Sequence, residues 1–245
     1  MDLRFCDDLG PDGFGWLIEE AMTRTSHALA DDGKVWLVDP VDWPEAIERA
    51  LGLGTPAGVI QLLDRHTRDC ASLAARLGVA HVVAPDALPG SPFECIPVKR
   101  MKRWAETALW WPAKRTLVAA EALGSNRFYT AGQAPLAVHV LLRLTPPRAL
   151  GSYEPARILV GHGEGVHGPG TTEALRNALR TSRRGLPGVL VRLPFSSRQY
   201  SREVNRGGTE MVRMFVRHDV ADFDAWRQGY DAFDSTRWLI PNQWS

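Results

Sequence analysis

Apolar residues recur along this chain with two periods, and the switches between them outline the elements. Residues 12–30 alternate weakly and run into Asp31-Asp32-Gly33, a turn of the Asp-Gly type. Residues 34–40, KVWLVDP, predict a buried strand that Pro40 ends. Residues 45–54 predict a short amphipathic helix stopped by glycine, and 58–64 the next strand. Over 68–79, Cys70, Leu73, Ala74 and Leu77 share one helical face, with Gly78 just past its end. Residues 80–85 again have strand character. Strand–helix–strand–helix–strand over 34–85 makes an α/β unit with short loops.

From residue 93 the pattern changes to hairpins. FECIPV, ETALWWP and RTLVAAEAL follow one another, and strands over 104–112 and 114–123 meet at Pro112-Ala113. After a Pro/Arg-rich loop at 145–157, ARILVGHGEGVHGPG predicts a strand entering a glycine loop. Residues 171–185 form a clear helix, with threonine at its start and arginines in its last turn. The poorly periodic stretch 184–210 is the best boundary, followed by strand character at 211–220 and an aromatic-bearing helix at 222–233. The expected organisation is a core domain over 1–185, a linker over 186–210 and a strand–helix extension over 211–245. The 17 prolines, 22 glycines and 9 tryptophans suit many short elements and argue against a long helical bundle.

Composition narrows the function classes. The 245 residues carry 29 basic and 28 acidic side chains, a formal charge of +1, so no global field recruits nucleic acid or an anionic membrane. An apolar fraction of 44% excludes disorder of the whole chain. No apolar run reaches the ~18 residues of a membrane span, and MDLRFCDDLG lacks the basic and apolar regions of a signal peptide. Cys6, Cys70 and Cys95 are too few and scattered for a disulfide framework or a cysteine zinc knuckle. A soluble, cytoplasmic protein acting on a small molecule is the expectation.

Candidate chemistry gathers at strand ends, where α/β scaffolds assemble sites. One strand ends in Asp64-Arg65-His66-Thr67-Arg68-Asp69, another carries Glu121 near its end, and a third ends in Gly161-His162-Gly163. This order resembles the metallo-β-lactamase superfamily over residues 12–185. There a strand runs into H-x-H-x-D-H at the head of a helix, as LLDRHTRD precedes CASLAARLGV here. A hairpin ending in a bridging aspartate is similar to TLVAAEALG, a strand ending in G-H-G is similar to LVGHGEG, and a strand ending in an acid is similar to WLVDP with Asp39. A G-H-T-P-G segment is loosely matched by 100–104. The resemblance implies a four-layer αββα sandwich with hydrolase-like chemistry.

Carried over one residue at a time, the resemblance places Asp64 at the first histidine and keeps His66 at the second. Arg68 stands at the motif aspartate, Asp69 at the third histidine, Lys102 at the G-H-T histidine and Glu121 at the bridging aspartate, while His162 is retained. Divalent metals need imidazole or carboxylate lone pairs, whereas Arg68 and Lys102 bring fixed positive charge. Like unit charges about 4 Å apart repel by ~4 kcal/mol at an effective dielectric of about 20, which argues against a dinuclear zinc site. The leading reading is a metal-free pocket, with Asp64, Arg68, Asp69, Lys102 and Glu121 paired as salt bridges. The alternative is a single divalent metal (zinc, iron or manganese) on His66, Asp69, Glu121 and His162. The candidate catalytic residues are Asp64, His66, Asp69 and His162. Two functions follow: a divergent hydrolase of a small ester, thioester or lactone, or a non-enzymatic ligand-binding or interaction module.

Other features have plainer readings beside the chemical one. GEGVHG (163–168) satisfies the dinucleotide-loop pattern, but Pro169 interrupts the helix entry and no acid ends the next strand. Nucleotide binding is therefore the third reading, and a loop shaping the His162 pocket is preferred. Cys70, in the first turn of a helix, is conceivable as a nucleophile but expected in the core. His81 and His139 lie in apolar runs and are expected to be satisfied core histidines, while His27 and His167 carry no signal. Arg176, Arg180, Arg183 and Arg184 read as a solvated helix face. Trp104, Trp110 and Trp111 read as packing, with stacking on a substrate as the alternative. The segment from 211 faintly resembles the start of a dimeric α/β-barrel domain, and its strand offers an edge with which a second copy can pair.

Overall fold

The computed structural model describes residues 2–183 apart from Ala21 and Arg103, so the expected linker at 186–210 and extension at 211–245 lie outside the described residues. In chain order the elements are β1 (Asp2–Cys6), β2 (Gly13–Glu19), β3 (Arg24–Asp31), β4 (Lys34–Val38), α1 (Pro44–Leu51), β5 (Thr55–Gln61), α2 (Cys70–Leu77) and β6 (His81–Val83). There follow β7 (Glu94–Met101), β8 (Trp104–Trp111), β9 (Thr116–Ala119), β10 (Leu123–Gly124), α3 (Arg127–Thr130), β11 (Ala137–Val138), β12 (Arg157–Val160), β13 (Val166–His167) and α4 (Thr171–Thr181). Strands β1 to β6 form one sheet in sequence order, and a second sheet has the order β13-β12-β9-β8-β7. No helix among the described residues is long and apolar enough to cross a membrane.

Strand alternation builds the layers. Because successive side chains point to opposite faces, Phe14, Trp16, Ala28, Ala30, Val35, Leu37 and Val59 form one face of the first sheet. They pack on Ala46, Ile47 and Ala50 of α1 and on Cys70, Leu73 and Ala74 of α2. The intervening Leu29, Trp36, Val38 and Ile60 join Leu109, Trp111, Leu117 and Leu159 of the second sheet in the larger core, to which α4 adds Leu175 and Ala178. The architecture is the expected mixed α/β sandwich. Gly78 ends α2 in the left-handed conformation at φ 66°, as its place after the apolar stripe predicts.

Two expectations need correction. The strand expected over 114–123 breaks after Ala119, because the Glu121 and Ala122 amides leave the ladder and donate to the Glu106 carboxylate at 3.0 and 2.9 Å. The weakly alternating stretch 12–30 is a full antiparallel hairpin, β2 with β3, in which Trp16 faces Ser26.

A buried carboxylate ties the two sheets together. Asp7, left-handed at φ 49° just after β1, accepts from Gly165 N at 2.7 Å and His167 Nε2 at 2.8 Å through Oδ1. Its Oδ2 lies 3.5 Å from His27 Nε2. Burial alone would raise this carboxyl, but His167, His27 and the Gly165 amide outweigh it and hold the group well below the usual carboxylate range. Asp7→Asn is expected to cost about 1.5–3 kcal/mol, the worth of hydrogen bonds to a charged group, as read by urea denaturation at pH 7. A carboxyl depressed in the folded state contributes stability above its unfolded value of about 3.9 and loses it as pH falls further. The gap between the variants should therefore narrow below about pH 4; a pH-independent gap would contradict the assignment.

Candidate functional site

Each sheet contains a parallel pair, β4 with β5 in the first and β9 with β12 in the second. Parallel strands end at the same edge, and open α/β sheets bind ligands beyond those carboxyl ends. Asp39 follows β4, residues 62–69 follow β5, Glu121 follows β9 and His162 follows β12. The chain positions are far apart, but the two edges bring these residues together. The His66 and His162 rings meet edge to face with centroids 5.3 Å apart, and one ligand atom each from His66, Glu121 and His162 lies within 4.8 Å of the others.

Both imidazoles are oriented through Nδ1. His66 Nδ1 lies 3.1 Å from Asp39 Oδ2, and a carboxylate accepts, so the ring proton belongs on Nδ1 and the Nε2 lone pair is free. Asp39 is left-handed at φ 44°, and its Oδ1 accepts from Leu62 N at 3.0 Å. Burial pushes the Asp39 carboxyl up, yet His66, Arg68 and the Leu62 amide bring it below its ordinary value. His162 Nδ1 donates to Met22 O at 2.8 Å, with Thr23 O at 3.2 Å. That again leaves Nε2 as the free lone pair, and this atom is shielded from solvent with no hydrogen-bond partner among the described residues. Burial, then the charges of His66 and Arg68, push His162 down to about 4, so it is neutral at pH 7. Tyr129 stacks on its ring at 5.8 Å and donates its hydroxyl to Glu121 O at 3.0 Å.

The acidic member is held on several sides. Arg65 donates to Glu121 Oε2 from Nη2 at 2.6 Å and Nε at 3.1 Å, and its guanidinium lies over the Trp104 ring at 4.1 Å. His139 Nε2 stands 3.6 Å from Glu121 Oε1. Burial would raise Glu121, but Arg65, His139 and His66 outweigh it and lower its carboxyl. Beneath it, the fully buried Glu106 accepts from the Glu121 and Ala122 amides and, through Oε2, from Trp104 Nε1 at 2.8 Å.

The sequence candidates are therefore divided. His66, Glu121 and His162 converge, whereas the Asp69 carboxylate turns away and accepts from Asp42 N at 2.9 Å. Asp64 has a shielded, unpaired Oδ1 and lies outside the three-residue cluster. Lys102 stands exposed at the β7–β8 turn, and Arg68 donates to backbone carbonyls. The ion pair expected at Glu121 is made by Arg65. Sequence reasoning missed Arg65, Glu106 and Tyr129 and read His139 as core. Glu106 left a signal, as the one charge in the mostly apolar run WAETALWW (104–111), where charge is seldom buried.

The remaining motifs take structural places. In 163–168, Val166 and His167 form β13 and pair back on β12; a Cβ on Gly163 would meet Ser125 Oγ at 2.2 Å, and the Gly165 amide is taken by Asp7. Cys70 is buried, and burial pushes its thiol up to about 12. His81 Nε2 is satisfied by Gln61 Oε1 at 3.0 Å. A cleft of about 620 Å³ that includes Lys34, Trp36, Pro56 and Pro89 opens at the other ends of β4 and β5 and holds none of the site residues.

No family profile matches the sequence, nor does any curated protein. Solved structures do. DIM-1 metallo-β-lactamase superimposes with a TM-score of 0.53 at 13% identity, covering 74% of this chain and 99% of that one. The DIM-1 enzyme exposed to ceftazidime gives 0.51 at 12% identity over 74% and 98% of the two chains. TMB-1 gives 0.51 at 12% identity over 76% and 99%. The chain has the metallo-β-lactamase fold.

Among the described residues, His66, Glu121 and His162 form a cluster that could hold one divalent ion. Two imidazoles with tied Nδ1 atoms, a carboxylate and, on His162, a shielded Nε2 with no partner among the described residues are a donor set of the type zinc takes. His66, Glu121 and His162 would hold it.

Proposed function

We propose that this protein is a hydrolase of a small ester, thioester or lactone, working with a single divalent metal at His66, Glu121 and His162. The observation that carries the reading is the pair of imidazoles, clustered with Glu121, whose Nδ1 atoms are committed to Asp39 and to the Met22 carbonyl, so that Nε2 is the ring nitrogen left over on each. Spending Nδ1 on an outer partner fixes tautomer and ring orientation, as in metal-binding histidines. A divalent ion held there supplies Lewis-acid chemistry, polarising a carbonyl and acidifying water. The chain's own residues supply the rest. Glu106 fixes the Glu121 backbone, Tyr129 backs His162, and Arg65 with Trp104 forms one wall beside the carboxylate.

Metal analysis of the full-length chain purified without chelator should give about one equivalent of a divalent ion. Chelator-sensitive turnover is expected within a panel of chromogenic esters, thioesters and lactones. Metal-free protein whose melting is unchanged by added zinc would refute the metal reading.

The second reading has its own support in the Arg65–Glu121 contact at 2.6 Å, which already neutralises the carboxylate. Under it the pocket is charge-paired, and the chain is a ligand-binding module without turnover. The same two measurements separate the readings.

A further inference from the structure

Arg68, expected to pair with carboxylates, takes backbone carbonyls as its partners. It lies two residues beyond His66 with left-handed backbone at φ 36°, a conformation that a bulky side chain rarely adopts unless its surroundings impose it. Among the described residues, its guanidinium makes no hydrogen bond to a carboxylate oxygen. Nη1 donates to Thr25 O at 2.5 Å and Asp39 O at 2.8 Å, and Nη2 donates to Gly161 O at 3.1 Å, while Nε is shielded and unpaired.

Those three carbonyls lie in the chain beside the groups that hold both imidazoles. Asp39 supplies the carboxylate on His66. Gly161 immediately precedes His162, and the Met22 and Thr23 carbonyls on His162 Nδ1 lie just before Thr25. Thr25 and Asp39 belong to the first sheet side, Gly161 to the second, and the sheets also touch here through Thr25 N to Gly161 O at 2.9 Å. The planar guanidinium spreads its donors over separate nitrogens and so spans carbonyls that lie apart, whereas the three donors of an ammonium radiate from one nitrogen and a thioether donates nothing.

We propose that Arg68 is the positioning residue of the site: its guanidinium sets the separation of the His66 and His162 imidazoles by tying together the carbonyls beside their supports. The inference rests on the metal reading above for its consequence, a ligand pair held at binding distance. Arg68 itself lies outside the three-residue cluster.

The test titrates metal-free full-length wild type, Arg68→Lys and Arg68→Met with cobalt(II), reading the d–d absorption bands and the affinity. Arg68→Met is expected to bind about 10–100-fold more weakly, the usual range for an outer-shell partner, with shifted bands; Arg68→Lys should be intermediate. Either variant, folded by circular dichroism and indistinguishable from wild type in affinity and bands, overturns the proposal. If Arg68→Met does not fold, the lysine variant decides by the same criterion. Wild type that takes up no cobalt refutes the metal reading alone. The positioning inference is then decided on metal-free protein by diethyl pyrocarbonate labelling: His162 should react faster in Arg68→Lys than in wild type, and equal rates overturn it.

Discussion

Replacing Glu106 with alanine should destabilise the protein by roughly 3 kcal/mol or more. The carboxylate is fully buried and serves three donors, the Glu121 and Ala122 amides and Trp104 Nε1. Each donor left without an acceptor costs about 1–3 kcal/mol. Losing the carboxylate's own burial penalty, which raises its carboxyl above the ordinary value, offsets part of that sum and favours the lower end. Glu106→Gln should lose less. Its carbonyl still serves the two amides, but its NH2 then faces the indole N–H, donor against donor. The pH dependence has a definite sign. A carboxyl raised in the folded state binds more protons than its unfolded counterpart, so its contribution falls as pH rises above about 4.3. Denaturant titrations should find that the stability of wild type relative to Glu106→Gln declines as pH rises through that range. An alanine variant within about 0.5 kcal/mol of wild type, the scatter of neutral surface substitutions, would show that Glu106 does not brace the Glu121 turn.

Removing either imidazole should cost still more in metal binding. His66→Ala and His162→Ala each delete one of three donors within 4.8 Å, and the loss should exceed the 100-fold or so that marks the upper range for an outer-shell partner. Asp69→Ala provides the contrast. Its carboxylate caps the Asp42 amide, so it should lower stability by about 1 kcal/mol and leave metal affinity alone. Isothermal titration of the three variants with zinc would test the assignment. Equal losses at Asp69 and His162 would mean that the ligand set is drawn wrongly.

Much of this was legible along the chain. The apolar alternation over 34–40 and 58–64 and the helical stripe through Cys70, Leu73, Ala74 and Leu77 each correspond to an element. The strand-end placement of His66, Glu121 and His162 followed from the same pattern. The split of β9 from β10 was not legible, since RTLVAAEAL is apolar throughout and the break depends on a carboxylate from the neighbouring strand. Nor was His139 separable from core, because its role comes from Glu121, 3.6 Å away across a turn.

Sequence by itself determined most of the order of strands and helices, the mixed α/β class and a wider set of strand-end candidates that contains His66, Glu121 and His162. Those depend on periods of two and 3.6 residues and on local turn chemistry, which act over a few residues. Only the tertiary structure decided which charges meet. Arg65 and not Lys102 pairs with Glu121, Asp69 turns to a backbone amide, and Arg68 spends its donors on carbonyls of both sheets. The reason is physical: a charged side chain takes whichever partner the packing of two sheets brings within about 3 Å, and spacing along one strand carries no record of the other.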